Sequence, residues 1–141
     1  MIAVDTSALM AIVLGEAEAD ACIAILESET EVLISAGTMA EAMIVAARRN
    51  VAAEMTSLID GLGFDVVTVT AASARRIAMA YERWGKGVHP AGLNFGDCFA
   101  YEVASGHSCP LLFVGGGKLR DRRRRCRPPA ARSARTRSDG S

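Results

Sequence analysis

The chain has 141 residues, half of them hydrophobic, which is enough for one domain with a substantial core. Its formal net charge is zero, but residues 1–117 carry 6 Lys/Arg and 14 Asp/Glu, whereas residues 118–141 carry 10 Lys/Arg and 2 Asp/Glu. The sequence contains no run of about 18 consecutive apolar residues, the length that a membrane span needs. The acidic body alone is not expected to bind nucleic acid, because it would repel phosphates unless cations intervene.

Short apolar segments that favour strands alternate with segments of helical periodicity. The first strand, residues 2–4, ends at Asp5, too early for a signal peptide. The later strands are predicted at residues 31–35, 64–70 and 110–115. The helices, two between each pair of strands, are predicted at residues 6–15, 16–28, 38–50, 51–63, 71–85 and 94–106. This order predicts an α/β fold, a three-layer sandwich with a central parallel sheet flanked by helices.

After Gly115 the sequence changes character. Residues 118–141 are crowded with Arg, Pro and Ser, and they predict a disordered basic tail after a domain that spans residues 1–117. Such a tail can bind nucleic acid. Arg-, Pro- and Ala-rich sequence is also what a GC-rich gene yields when it is read out of frame, and we favour that origin.

The cysteines predict no zinc site, because no pair has CxxC spacing. They are Cys22, Cys98, Cys109 and Cys126. Since nothing else in the sequence indicates secretion, we expect a reduced, cytoplasmic protein with buried thiols.

Three acids near predicted helix starts each have a structural explanation. Asp5 precedes a helix that it can cap, and Glu41 follows Thr38 by three residues, as in a capping box. Asp97 follows Asn94 with the same spacing. A helix N-terminus stabilises a nearby acid by about 0.3–1 kcal/mol. One acid alone therefore does not indicate a functional site.

The same three acids are expected to converge if the sheet is parallel. Sites in such sheets gather outside the carboxyl ends of the strands, where Asp5, Glu41 and Asp97 all fall. Two unit charges about 5 Å apart repel by roughly 3 kcal/mol at an effective dielectric constant near 20. A divalent cation removes that repulsion, and Mg²⁺ or Mn²⁺ prefers carboxylate and water ligands. We therefore interpret the acids as ligands of such a cation.

Four segments resemble those of PIN-domain ribonucleases, in particular the VapC-type toxins of bacterial type II toxin–antitoxin systems. They are VDTSALMAIVLGE, TMAEAMIVAARR, GLNFGDCFAYEVA and PLLFVG, in order over residues 1 to about 115. The resemblance implies a PIN-like fold and Mg²⁺- or Mn²⁺-dependent endonucleolytic cleavage of RNA. It also implies a homodimer and a cognate antitoxin that binds in a groove near the active site.

The resemblance assigns roles to individual residues. Asp5, Glu41 and Asp97 match the family's catalytic, metal-binding acids, with Glu41 acting directly or through water. The hydroxyl beside the first acid matches Ser7 or Thr6, and it is expected to orient a water or a phosphate oxygen.

Two residues of a glycine-rich loop are candidate contacts to the RNA backbone. Lys86 and His89 lie in this loop, residues 85–92, just before Asn94. A solvated loop explains them equally well. Arg48 and Arg49 are more typical of a solvated helix face.

One acid of the family pattern is missing. Family members usually carry a further Asp just after the last strand, where this chain reads LLFVGGGKLRD, and Asp121 lies too far along to take that role. Two functions stay open: an active ribonuclease with three acids, and a weakened PIN-like module that mainly binds antitoxin. A phosphatase of the haloacid-dehalogenase type is disfavoured, because it needs a second Asp where Ser7 stands.

Overall fold

A computed structural model describes residues 1–115, which form a four-stranded parallel sheet flanked by six helices. The strands are β1 (Ile2–Val4), β2 (Val32–Ser35), β3 (Asp65–Val67) and β4 (Leu111–Leu112). The helices are α1 (Thr6–Val13), α2 (Ala19–Ser28), α3 (Ala36–Arg48), α4 (Ala52–Leu62), α5 (Ala71–Trp84) and α6 (Phe95–Gly106). The predicted fold class and order of elements are confirmed. The predicted basic tail, with Asp121 and Cys126, lies outside the described residues.

The strand order places β1 in the interior of the sheet. The order is β3-β2-β1-β4, and every pairing is parallel. Ala3 is in register with Leu33 of β2 and with Leu111 of β4. The residue after β1, Asp5, therefore lies at the carboxyl edge of the sheet with a neighbouring strand on either side.

Alternate residues of β1 face two different cores, as the pleat of a strand requires. Ile2 and Val4 pack into a cluster that includes the fully buried Leu9 and Met55, on the face covered by α1 to α4. Ala3 packs on the opposite face with small and branched residues of α6. These are Ala100, Val103 and Ala104. Helix α5 packs on α6 and forms the outer part of that layer.

Helix α3 begins earlier than the sequence predicts. The Ser35 side chain accepts a hydrogen bond from the Gly37 backbone N–H at 3.2 Å, so Ser35 is the N-cap and the helix begins at Ala36. The predicted start near Thr38, and the capping box formed with Glu41, are wrong. Thr38 is instead fully buried, and Glu41 falls in the second turn of α3.

Other helix starts test the remaining capping predictions. Asp5 is the N-cap of α1, as predicted. The Asn94–Asp97 capping box is confirmed at the start of α6. Strand β3 is shorter than the predicted residues 64–70, because it pairs only with β2 and because Thr70 already caps α5.

The described cysteines, Cys22, Cys98 and Cys109, are buried thiols, as predicted. Burial, together with the charge of Asp97, raises the pKa of Cys98 to about 11, so this thiol stays protonated at neutral pH. Within residues 1–115, no helix combines the length and apolar character needed to cross a membrane.

Candidate active site

Asp5 lies at the junction of β1 and α1, where its carboxylate is held by Ser7. Its Oδ2 atom accepts hydrogen bonds from the Ser7 backbone N–H at 3.1 Å and from the Ser7 hydroxyl at 2.7 Å. The same hydroxyl accepts a hydrogen bond from the Val114 backbone N–H at 2.9 Å. Ser7 therefore joins the carboxyl ends of β1 and β4 through one side chain.

The environment of Asp5 disfavours its charged form. Burial raises the pKa of this carboxyl to about 7, and the charges of Asp97 and Glu41 add to the increase, while the hydrogen bonds from Ser7 oppose it. Burial is the largest of these effects, as expected for a carboxyl removed from water. Two acids far along the chain thus act on the charge of Asp5, but only one of them, Asp97, shares its cavity.

Asp97 lies in the first turn of α6 and faces the same cavity as Asp5. Its Oδ2 atom accepts from the Asn94 backbone N–H at 2.9 Å, and its own N–H donates to Asn94 Oδ1 at 2.8 Å. This reciprocal cap fixes both residues at the rim. The cavity, about 190 Å³, is also lined by Ser7.

Glu41 sits beside this cavity without lining it. Its Oε1 atom accepts a hydrogen bond from the Thr6 hydroxyl at 2.6 Å. Its carboxylate also lies against Gly96, in the space that a Cβ atom on that residue would occupy. The Thr6 hydroxyl therefore contacts an acid, and it also lies 3.4 Å from the Thr38 carbonyl oxygen.

The donor chemistry of the cavity fits a hydrated divalent cation. Within residues 1–115, no group of three or more histidine, cysteine or acidic side chains is arranged to hold a metal ion. Two carboxylates, Asp5 and Asp97, line the cavity. Mg²⁺ commonly takes one or two protein carboxylates and keeps several waters. At about 30 Å³ for each water, the cavity has room for such an ion.

The loop residues proposed to contact RNA lie outside the cavity lining. The His89 ring meets Trp84 edge-on, with centroids 4.5 Å apart, and its Nδ1 atom accepts from the Ala91 backbone N–H. Lys86 is exposed, and its backbone N–H donates to the Leu93 carbonyl at 2.8 Å. Their contact with RNA stays a prediction, although His89 already has a structural role in shaping the loop.

Sequence reasoning missed two supports of the site. The Glu41 carboxylate packs against Gly96, and the Phe99 ring packs against Gly37 in the same way. Both glycines are visible in the sequence, but their partners lie on another helix. The position of Gly96, between two residues of a recognised motif, was the only available signal.

Comparison with known families agrees with this fold. The model of the PIN domain family matches residues 2–124 of the chain. Among solved structures, Mycobacterium tuberculosis VapC20, a sarcin-ricin loop cleaving toxin, superposes with a TM-score of 0.67 at 20% identity, over 82% of this chain and 91% of that one. A toxin-antitoxin complex from Klebsiella pneumoniae gives a TM-score of 0.61 at 19% identity, over 82% and 87%. These likenesses define a PIN-type fold.

Sequence relatives narrow the class further. The chain is 42% identical to ribonuclease VapC36 of Mycobacterium tuberculosis over 117 residues, covering 79% of this chain and 84% of the relative. It is 37% identical to VapC ribonuclease Mb0640 of Mycobacterium bovis over 115 residues, covering 79% and 88%. The chain therefore belongs to the PIN-domain family, in its VapC ribonuclease branch.

Proposed function

We propose that the protein is a metal-dependent endoribonuclease and the toxin of a toxin–antitoxin pair, hydrolysing phosphodiester bonds of RNA. The observation that carries this proposal is the Asp5 carboxyl, buried in a cavity beside Asp97 with its pKa raised to about 7. A bound cation would stabilise the charged form of an acid that burial and neighbouring acids destabilise. The VapC ribonucleases among its relatives support the same activity.

Asp5 and Asp97 would hold the cation, Mg²⁺ or Mn²⁺, and Glu41 would act through a water. When bound, the cation supplies Lewis-acid chemistry, since it lowers the pKa of a water and neutralises charge on phosphate oxygens. Ser7 holds Asp5 in place, and Thr6 does the same for Glu41. The bound charge would also make an acidic cleft attractive to phosphate.

A cleavage assay on the full chain tests this proposal. We expect an unstructured RNA to be cut internally with Mg²⁺ or Mn²⁺ and to stay intact in EDTA. Asp97→Asn should abolish cutting, whereas Asp60→Asn, which removes the same charge from an exposed position on α4, should not. If the wild-type chain cut no RNA with either cation, the ribonuclease function would be rejected. The alternative function, a module that only binds antitoxin, would then remain.

We propose two partners for the protein in the cytoplasm, an antitoxin protein and a second copy of the chain. The toxin–antitoxin complex among the structural neighbours is consistent with an antitoxin.

Exposed apolar residues support a homodimer: Met43 and Ile44 on α3 are 43% and 56% exposed, and Phe95 is 71% exposed. Phe95 meets Phe99 edge-on, and Phe99 lies against Gly37 of α3, which brings these apolar groups to adjoining helices. Sedimentation of the purified chain tests the dimer, and a monomer at micromolar concentration would contradict it.

A further inference from the structure

Positive charge in the described residues is concentrated on α5 and the loop after it. Residues 1–115 carry 6 Lys/Arg against 14 Asp/Glu. Four of the six basic residues lie within a short stretch: Arg75, Arg76, Arg83 and Lys86. The remaining two, Arg48 and Arg49, lie at the end of α3. An acidic body thus carries one local surface that can attract an anion.

This surface borders a groove between α5 and α6 that has an apolar, aromatic floor. Met79, Trp84 and Tyr101 line the groove together with Arg76 and Arg83. The Arg83 guanidinium lies 5.1 Å from the centroid of the Trp84 ring. Aromatic rings bordered by arginines bind single-stranded nucleic acid, because bases stack on the rings while cations pair with phosphates.

The single acid that lines this groove is already neutralised. Glu102 is buried, and its Oε2 atom accepts a hydrogen bond from Arg76 Nε at 3.0 Å. The Arg76 side chain remains 56% exposed. The groove therefore presents net positive charge to an incoming ligand.

Backbone hydrogen bonds link a residue of the groove to a residue of the acidic cavity. The Leu93 backbone N–H donates to the Trp84 carbonyl at 3.0 Å, and the Lys86 N–H donates to the Leu93 carbonyl. Leu93 itself lines the cavity of Asp5 and Asp97. The aromatic end of the groove and the acidic cavity are therefore lined by residues that are hydrogen-bonded to each other.

We propose that the groove between α5 and α6 binds the single-stranded RNA that flanks the cleaved phosphodiester, with Arg83 contacting a phosphate and Trp84 a base. This inference rests on the proposed ribonuclease function and adds a second subsite to it. Binding there is expected to tolerate different base sequences, because every base offers a face for stacking.

Trp84 is the one tryptophan of the chain, so the fluorescence of the chain reports on the aromatic end of this groove and the adjoining His89 ring. The full chain is titrated with a short unstructured oligouridine in EDTA, where binding does not require cleavage. Arg83→Gln is compared with Arg48→Gln, which removes the same charge from an exposed arginine of α3. Both variants keep residues 118–141, so any RNA binding by that segment is common to them.

We expect RNA to change Trp84 fluorescence, and the midpoint to move to higher RNA concentration in Arg83→Gln but not in Arg48→Gln. The slope of log affinity against log salt should become shallower by about 0.7 in Arg83→Gln, the value for one phosphate contact on a single strand. The proposed subsite would be overturned if RNA did not change the fluorescence, as expected if the groove binds a protein instead. It would also be overturned if the two variants had equal midpoints.

The cleavage assay separates this inference from the proposed function. Cleavage by the wild-type chain with equal midpoints in the two variants overturns the groove alone. A shifted midpoint in Arg83→Gln, in a chain that cuts no RNA with Mg²⁺ or Mn²⁺, supports the groove and overturns the ribonuclease.

Discussion

The Glu41 carboxylate occupies the space that a side chain on Gly96 would need. Gly96→Ala therefore forces this acid away from α6. We expect cleavage to fall by on the order of 10- to 100-fold, the usual effect of disturbing the groups that orient a metal site. The fold should survive, because alanine favours a helix over glycine by about 0.5–1 kcal/mol.

Gly61→Ala is the matched control for this substitution. Gly61 lies in α4 with open space around its Cβ position, so the variant should gain stability and cut RNA normally. Cleavage rates and melting temperatures of both variants are measured together. Normal cleavage by Gly96→Ala would show that the position of Glu41 does not matter to the reaction.

Thr6 is predicted to act by orienting Glu41. Thr6→Val keeps the shape of the side chain but removes the hydrogen bond to Glu41 Oε1, formed at 2.6 Å. We expect kcat to fall with little change in KM, and Thr6→Ser to restore it because the hydroxyl returns. A higher KM with unchanged kcat would instead assign Thr6 to substrate binding.

Asp5 should give the metal-free protein a pH dependence of definite sign. Burial, aided by the charge of Asp97, raises its pKa from 3.8 to about 7. The folded state therefore keeps a proton that the unfolded state releases. The stability that this proton contributes is fully present below about pH 4 and is lost as the pH rises to about 7.

Asp5→Asn removes this titration and preserves the helix cap, because Asn and Asp are comparable N-cap residues. In EDTA, we expect the variant to be more stable than the wild type at pH 8 and the difference to shrink toward pH 4. Mg²⁺ should reduce the difference at pH 8, since a cation favours the charged carboxylate. Urea denaturation across this range measures the free energies of unfolding. A variant less stable than the wild type at pH 8 would mean that the charged Asp5 carboxylate stabilises the fold, and it would contradict the predicted pH dependence.

Ser7 is predicted to stabilise the carboxyl edge of the sheet. Ser7→Ala leaves the Val114 N–H without its acceptor and removes one of the two hydrogen bonds that Ser7 donates to Asp5, which should lower the free energy of unfolding by about 1–3 kcal/mol. Ser28→Ala is the control, because that hydroxyl bonds to Ile25 on the exposed surface. Equal denaturation midpoints for the two variants would refute the tether between β1 and β4.

The same local pattern succeeded at one helix and failed at another. The Asn94–Asp97 box was predicted and is present, since all its bonds lie within one helical turn. Thr38–Glu41 has an equally good pattern, but Ser35 caps the helix three residues earlier. A second capping side chain nearby made the choice depend on where β2 ends, and that depends on pairing with β1 and β3.

The amino-acid sequence by itself determined the alternation of strands and helices and the place of each acid near a strand end or helix start, because periodicity and capping act over a few residues. Only the tertiary structure decided that β1 lies between β2 and β4, that Asp5 and Asp97 share a cavity, and that Glu41 turns aside toward Thr6 and Gly96. These contacts join residues far apart in the chain. Their energies come from burial and packing summed over the whole core, which no local pattern contains.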